Sequence, residues 1–248
     1  MNQNNLIVCY YEGLNNDFSG IKVTIKSLKE HFDGEIIVLY NNVLPELIEL
    51  LKIEQVTGIN CSDYRVIFKT SPYNNKIIYT FLFFKNNLDV FKDKNILFCD
   101  IGDFYFKINP FNILSDKITL GLETLKIAKC PTNSVWIKVC YGVEVLNELA
   151  DKKVINSGFI LGPFQEVYKM FELMINDLKT ILPRINYPIT DQAIVNKLVY
   201  KENFNVVFDE KNIVNMAQKN KPILSKINHQ YNKISDTSLA KTLYKKYE

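Results

Sequence analysis

Residues 94–111 read KNILFCDIGDFYFKINPF. An apolar run at positions 96–98 delivers two carboxylates, Asp100 and Asp103, to its downstream end, and Gly102 between them leaves the backbone unobstructed. A strand that ends in paired acids is a place to hold a divalent cation. Mg²⁺ and Mn²⁺ take hard oxygen ligands and usually share their coordination sphere with substrate phosphates. The same two acids would also suit a solvated turn after a buried strand. The surrounding sequence separates these readings.

Upstream, strand and helix alternate. LIVCYY at 6–11 is a short, β-prone apolar run, and positions 18–32 carry Ile21, Ile25, Leu28 and Phe32 at the spacing of one helical face. EIIVLY at 35–40 is a second buried strand, and LPELIELLKIE at 44–54 has Pro45 where a first helical turn tolerates it. Positions 75–91 read as one long apolar helix leading into the strand at Ile96. This alternation implies an α/β fold, a mostly parallel sheet with helices on both faces. Ligands in such sheets bind beyond the carboxyl ends of the strands, where Asp100 and Asp103 fall.

Downstream the pattern is less regular. VINSGFILG at 154–162 reads as a strand interrupted by Asn156, Ser157 and Gly158. Pro163 then opens a helix with Val167, Met170, Phe171, Met174, Leu178 and Leu182 on one face, stopped by Pro183. Thr190 is placed to cap a further helix, DQAIVNKLVY, with Asp191 and Gln192 in its first turn, where the helix dipole alone would favour an acid. Asn228, His229 and Gln230 follow a short loop. The organisation expected is a single domain over 1–234 followed by a basic amphipathic tail, 235–248, capable of peripheral membrane contact.

At 248 residues the chain is long enough for one large domain, whose folding buries about 70–75% of the unfolded surface. The net charge of +3 does not announce a nucleic-acid partner, since Arg occurs only at Arg65 and Arg184 and the lysines are scattered among acids. Five widely spaced cysteines without a metal-type CxxC point to free thiols in a reducing compartment. No apolar run is long enough to span a bilayer, and the N-terminus lacks a signal-like segment. A soluble cytoplasmic protein is expected.

Four islands now stand in order: Asp100 with Asp103, then Asn156-Ser157-Gly158, then Asp191-Gln192, then His229-Gln230-Tyr231-Asn232. Together they resemble the GT-A type glycosyltransferases, in particular a small single-domain branch pairing an acidic strand end and "NPF" with "NSG", "TDQ" and "HQYN". The resemblance implies a Rossmann-like, single-domain fold that transfers a sugar from a nucleoside diphosphate donor, UDP-linked for preference, to a glycan or other hydroxyl acceptor. It implies Mn²⁺ or Mg²⁺ held by Asp100, Asp103 and His229 and bridging the donor's diphosphate. It places Asp191 and Gln192 at the transferred sugar, Asn156, Ser157 and Gly158 along the donor and acceptor pocket, Lys76 against the diphosphate, and Tyr10 and Tyr11 at the nucleotide base. Two residues separate the acids here where the family's motif has one, and Asp103, further beyond the apolar run, is the stronger ligand candidate.

Three other classes compete. A sugar nucleotidyltransferase would need a Gly-rich, Arg- or Lys-bearing loop after its first strand, and EGLNNDFSG is poor in glycine and lacks Arg. A non-catalytic carbohydrate- or nucleotide-binding protein on the same fold would be marked by loss of the acids, which are present. A phosphatase or nuclease also uses paired Asp, but no aspartyl nucleophile motif or second His cluster is found.

Overall fold

The strand that ends at Asp100 occupies the centre of the sheet. A computed structural model describes residues 4–64, 71–184, 191–215, 226–229 and 238–247. Its main sheet has seven strands in the order β3-β2-β1-β4-β7-β6-β8. These are β1 (Asn5–Gly13), β2 (Glu35–Val43), β3 (Thr57–Asn60), β4 (Asn95–Asp100), β6 (Ile118–Lys126), β7 (Lys153–Pro163) and β8 (Val206–Phe208). Pairing is parallel except on either side of β7, which runs against both β4 and β6. The amino-terminal part of β7 therefore meets the carboxyl ends of β1 and β4. That reversal brings the second half of the chain to the acids of the first.

Alternation along β1 explains the two layers. Leu6, Val8 and Tyr10 face one hydrophobic cluster and Ile7 and Cys9 the other. The first cluster is covered by α3 (Pro72–Asn86), α4 (Leu88–Phe91), α6 (Phe164–Ile181) and α7 (Asp191–Tyr200), the second by α1 (Ser19–Lys29) and α2 (Pro45–Ile53). A third, smaller cluster packs α5 (Pro131–Leu149), which is broken at Gly142, against the start of β7 and Ala193 of α7. A three-stranded sheet, β5 (Phe104–Phe106), β10 (Ile227–His229) and β9 (Ile213–Asn215), closes the edge beyond Asp103. The helix α8 (Ser238–Tyr247) lies on α1, with Leu243 and Tyr247 buried against Val23.

The expected strands at 6–11 and 35–40 are β1 and β2, and the apolar face expected for α6 is buried from Val167 through Leu178. Three expectations need correction. The helix expected over 75–91 is two, α3 opening at Ser71 and Pro72 and ending before Asn87, whose φ of −126° is non-helical and whose side-chain amide donates to Phe83 O at 2.8 Å. The strand over 154–162 is continuous rather than interrupted. Its irregularity lies in the pairing: Ile155 opposes Leu122 and Ile160 opposes Leu120, so four residues of β7 face Gly121 alone. Asn228 and His229, expected after a loop, are themselves in β10. Thr190, the expected cap of α7, lies outside the described residues.

Candidate active site

A cavity of about 320 Å³ opens where β1 and β4 end, lined by Tyr10, Tyr11, Glu12, Lys76, Asp100, Ile101 and Asp103. Five of these, Tyr10, Tyr11, Lys76, Asp100 and Asp103, are residues the sequence singled out. In-register pairing of β1 with β4 sets Tyr10 beside Asp100. Continuing the β4–β7 pairing from Cys99 and Phe159 brings Gly158 opposite Asp100. A Cβ at position 158 would lie 2.5 Å from Asp100 Oδ2. Any side chain at 158 would have to displace that carboxylate, and Asn156 Oδ1 pins the same stretch of strand by accepting from Gly158 N at 2.9 Å.

Lys76 joins two of the sequence islands. From the second turn of α3 its ammonium donates to Asp100 Oδ1 at 2.9 Å and Oδ2 at 3.2 Å, and lies 2.8 Å from Asp191 Oδ2. Burial opposes its charge, but the Coulombic pull of Asp100 and Asp191 and the hydrogen bonds to them outweigh that and hold its pKa above the ordinary lysine value. Asp191 is deeper than Asp100, with side-chain exposures of 6% and 27%. Ser157 Oγ donates to Asp191 Oδ2 at 2.8 Å, which ties the "NSG" segment to the helix start. Gln192 turns to β6, where its amide donates to Glu123 Oε1 at 2.9 Å.

The turn bearing Asp103 is held from below by α1. Thr24 Oγ1 accepts from Gly102 N at 3.1 Å and donates to Phe104 O at 2.8 Å, and Ser27 Oγ accepts from Phe106 N at 3.2 Å. Gly102 has a φ of +98°, a backbone state other residues adopt only with strain. β10 pairs with β5 so that His229 opposes Phe104, next to Asp103 in the chain. The backbone of the late histidine is therefore beside the acidic turn, while its side chain lies outside what is described.

Several site residues escaped the sequence reading. Glu12 ends β1 with its carboxylate accepting from the Tyr10 hydroxyl at 2.5 Å, Asn75 at 2.9 Å and Asn41 at 3.1 Å. Burial, then the hydrogen bond to Glu12, pushes the Tyr10 phenol far above its usual range, so that Tyr10 acts as a donor here. Its ring is 7% exposed and stacks on Tyr79 at 5.9 Å, whereas Tyr11 is partly exposed. Glu123 is 6% exposed beneath Gln192. The alternation of β6 contained a signal for it, an acid among buried positions; Glu12 had only its place after an apolar strand.

Asp100 and Asp103 present hard oxygen donors to one cavity, and among its lining side chains three carboxylates face one ammonium. That donor set and charge balance fit a divalent cation. Among the described residues no three His, Cys, Asp or Glu side chains converge as a finished metal cluster.

No family profile matches the sequence, and no curated protein matches it by sequence. A search of solved structures does find a match: the galactosyltransferase LgtC, crystallised with donor and acceptor sugar analogues, superposes with a TM-score of 0.58 over 98% of this chain and 96% of that one, at 13% identity. The chain has the GT-A fold. Its resemblance to that glycosyltransferase extends over nearly the whole of both chains. Among the described residues, no helix is long and apolar enough to cross a membrane.

Proposed function

We propose that this protein is a metal-dependent glycosyltransferase that moves a sugar from a nucleoside-diphosphate donor, UDP-linked for preference, to a glycan or other hydroxyl acceptor. The observation carrying this reading is the convergence of Asp100, Asp103 and, through Lys76, Asp191 on one cavity at the carboxyl edge of a GT-A sheet. An anionic cavity repels a diphosphate, and a divalent cation held by Asp100 and Asp103, with His229 as the candidate third ligand, removes that mismatch. When bound, Mn²⁺ or Mg²⁺ would supply Lewis-acid stabilisation of the charge that develops on the leaving diphosphate.

The chain's own groups would do the rest. The glycosidic bond to the diphosphate breaks with its electron pair on the leaving oxygen, the acceptor oxygen bonds the sugar carbon, and the acceptor proton passes to water. Asp191, held by Ser157 and Lys76, would hold sugar hydroxyls. Gln192, whose amide is committed to the acceptor-only carboxylate of Glu123, turns its carbonyl away from that partner. In this reading Asn156 and Gly158, beside Asp100, would border the sugar, and Glu12 and Tyr11, which line the cavity, would face the base. The five free thiols suit a reducing compartment such as the cytoplasm.

The test is a thermal-shift panel of nucleoside diphosphates with and without Mn²⁺, because a ligand selective for the folded state raises the unfolding midpoint by mass action. A selective, Mn²⁺-dependent shift with UDP or GDP is expected. No shift with any diphosphate, in the presence or absence of metal, would overturn the assignment.

A further inference from the structure

Lys76 is committed to two carboxylates. Its ammonium lies within hydrogen-bond reach of both oxygens of Asp100 and of one oxygen of Asp191. The side chain is 11% exposed, so solvent screens it weakly. Asp100, the acid on which the cation of the proposed reaction depends, is therefore already partnered by a cation that belongs to the protein. A second positive charge on the same carboxylate would sit beside a fixed one where like charges repel strongly.

We propose that Lys76 is a resident counter-cation that withholds Asp100 from divalent metal until a diphosphate arrives, so that metal and nucleotide bind as a pair. The inference rests on the metal-dependent reading above. A diphosphate offers oxygens to both positive charges: Lys76 can give one N–H to phosphate and keep Asp191, and Asp100 is then released to the metal. Metal alone brings no such relief. By linkage the preference is reciprocal, and nucleotide without metal meets a wall with excess carboxylate.

The experiment is calorimetry on the full chain with Mn²⁺ alone, with UDP alone, and with Mn²⁺ in saturating UDP, GDP replacing UDP if it gives the larger thermal shift. The parent is expected to bind Mn²⁺ weakly alone and at least about tenfold more tightly with nucleotide. Lys76→Met should bind Mn²⁺ alone at least about tenfold more tightly than the parent and the nucleotide alone more weakly, while Lys76→Arg, which keeps the charge, should stay near the parent for metal. Because Lys76→Met leaves two acids unpaired and risks misfolding, the double variant Lys76→Met/Asp191→Asn removes one charge of each sign and preserves the local balance. It too should bind Mn²⁺ alone more tightly. Should both Met variants bind Mn²⁺ alone no better than the parent, while the parent still shows metal–nucleotide coupling, the counter-cation role is wrong and the glycosyltransferase reading stands. If neither parent nor variants bind Mn²⁺ even with nucleotide, both fall.

Discussion

Among the described residues, Lys76 and Lys197 each sit between two acids, and Lys76 lines the candidate cavity. Lys76 bridges Asp100 and Asp191 where the sheet's strands end. Lys197, on the same helix as Asp191, bridges Asp177 at 2.9 Å and Glu202 at 2.5 Å, lies 5.2 Å from the centre of the Tyr141 ring, and shares Asp177 with the Tyr141 hydroxyl at 2.7 Å. Composition does not distinguish the clusters. What differs is their surroundings: the Lys197 cluster ties α5, α6 and the end of α7 together among helices, whereas the Lys76 cluster faces an opening wide enough for a ligand. A buried ion pair is thus no sign of chemistry until it borders a space that a substrate can enter.

The sharpest way to break that contrast is Asp191→Asn. It nearly preserves volume while removing a charge that the proposed reaction uses, so turnover should fall by about 10²- to 10⁴-fold, measured at saturating donor, while nucleotide affinity changes much less. Equal turnover in variant and parent would make Asp191 as structural as Asp177. Next in size, Asp103→Ala should weaken Mn²⁺-dependent nucleotide binding by about 100-fold, ~2.7 kcal/mol, with the circular dichroism spectrum unchanged. Gly158→Ala, which drives a methyl into the space of the Asp100 carboxylate, should cost about tenfold in the same calorimetric measurement; an unchanged affinity would mean that Asp100 moves freely.

On the other side, Lys197→Met should lower unfolding free energy by about 1–3 kcal/mol, less than for a fully buried pair, and leave metal–nucleotide binding untouched. Burial opposes the Lys197 charge, but hydrogen bonds to Glu202 and Asp177 prevail and raise its pKa. A raised lysine contributes stability that is fully present below the unfolded value of about 10.4 and is lost as pH rises through the folded value. The stability gap between parent and Lys197→Met should accordingly be flat from pH 6 to 9 and narrow only in alkali, as chemical denaturation across that range would show. Narrowing near neutrality would rule out the Lys197 ammonium as its source.

The first layer of this architecture was legible because period and apolarity coincide there: residues 6–11, 35–40 and 96–98 are strands buried on both faces, and α6 shows an unbroken stripe. The site was half legible. Asp100, Asp103 and Asp191 stand at element ends, a positional signal, and the resemblance supplied Lys76. Their connection was not legible, since it depends on β7 running antiparallel and on a pairing irregularity that aims Ser157 at Asp191. Glu12 and Glu123 look like ordinary acids in the sequence. Their importance comes from partners 63 and 69 positions away. Residues 118–149 carry β6 and the broken α5, which no single period describes.

The seat of α8 on α1 bears on how the molecule is made. Lys26 reaches Tyr247 O at 2.7 Å across 221 positions of chain, and Tyr247 and Lys246 both engage Glu30. During synthesis the amino-terminal βα units emerge first and find their neighbours early. One side of α1, with Val23 on it, waits uncovered until the α8 residues Leu243 and Tyr247 have been made. That helix is the one whose Thr24 cradles the acidic turn. A ribosome-bound chain would therefore hold its acids on a support still missing its outer cover, and a chain cut before Ser238 would keep that side permanently bare.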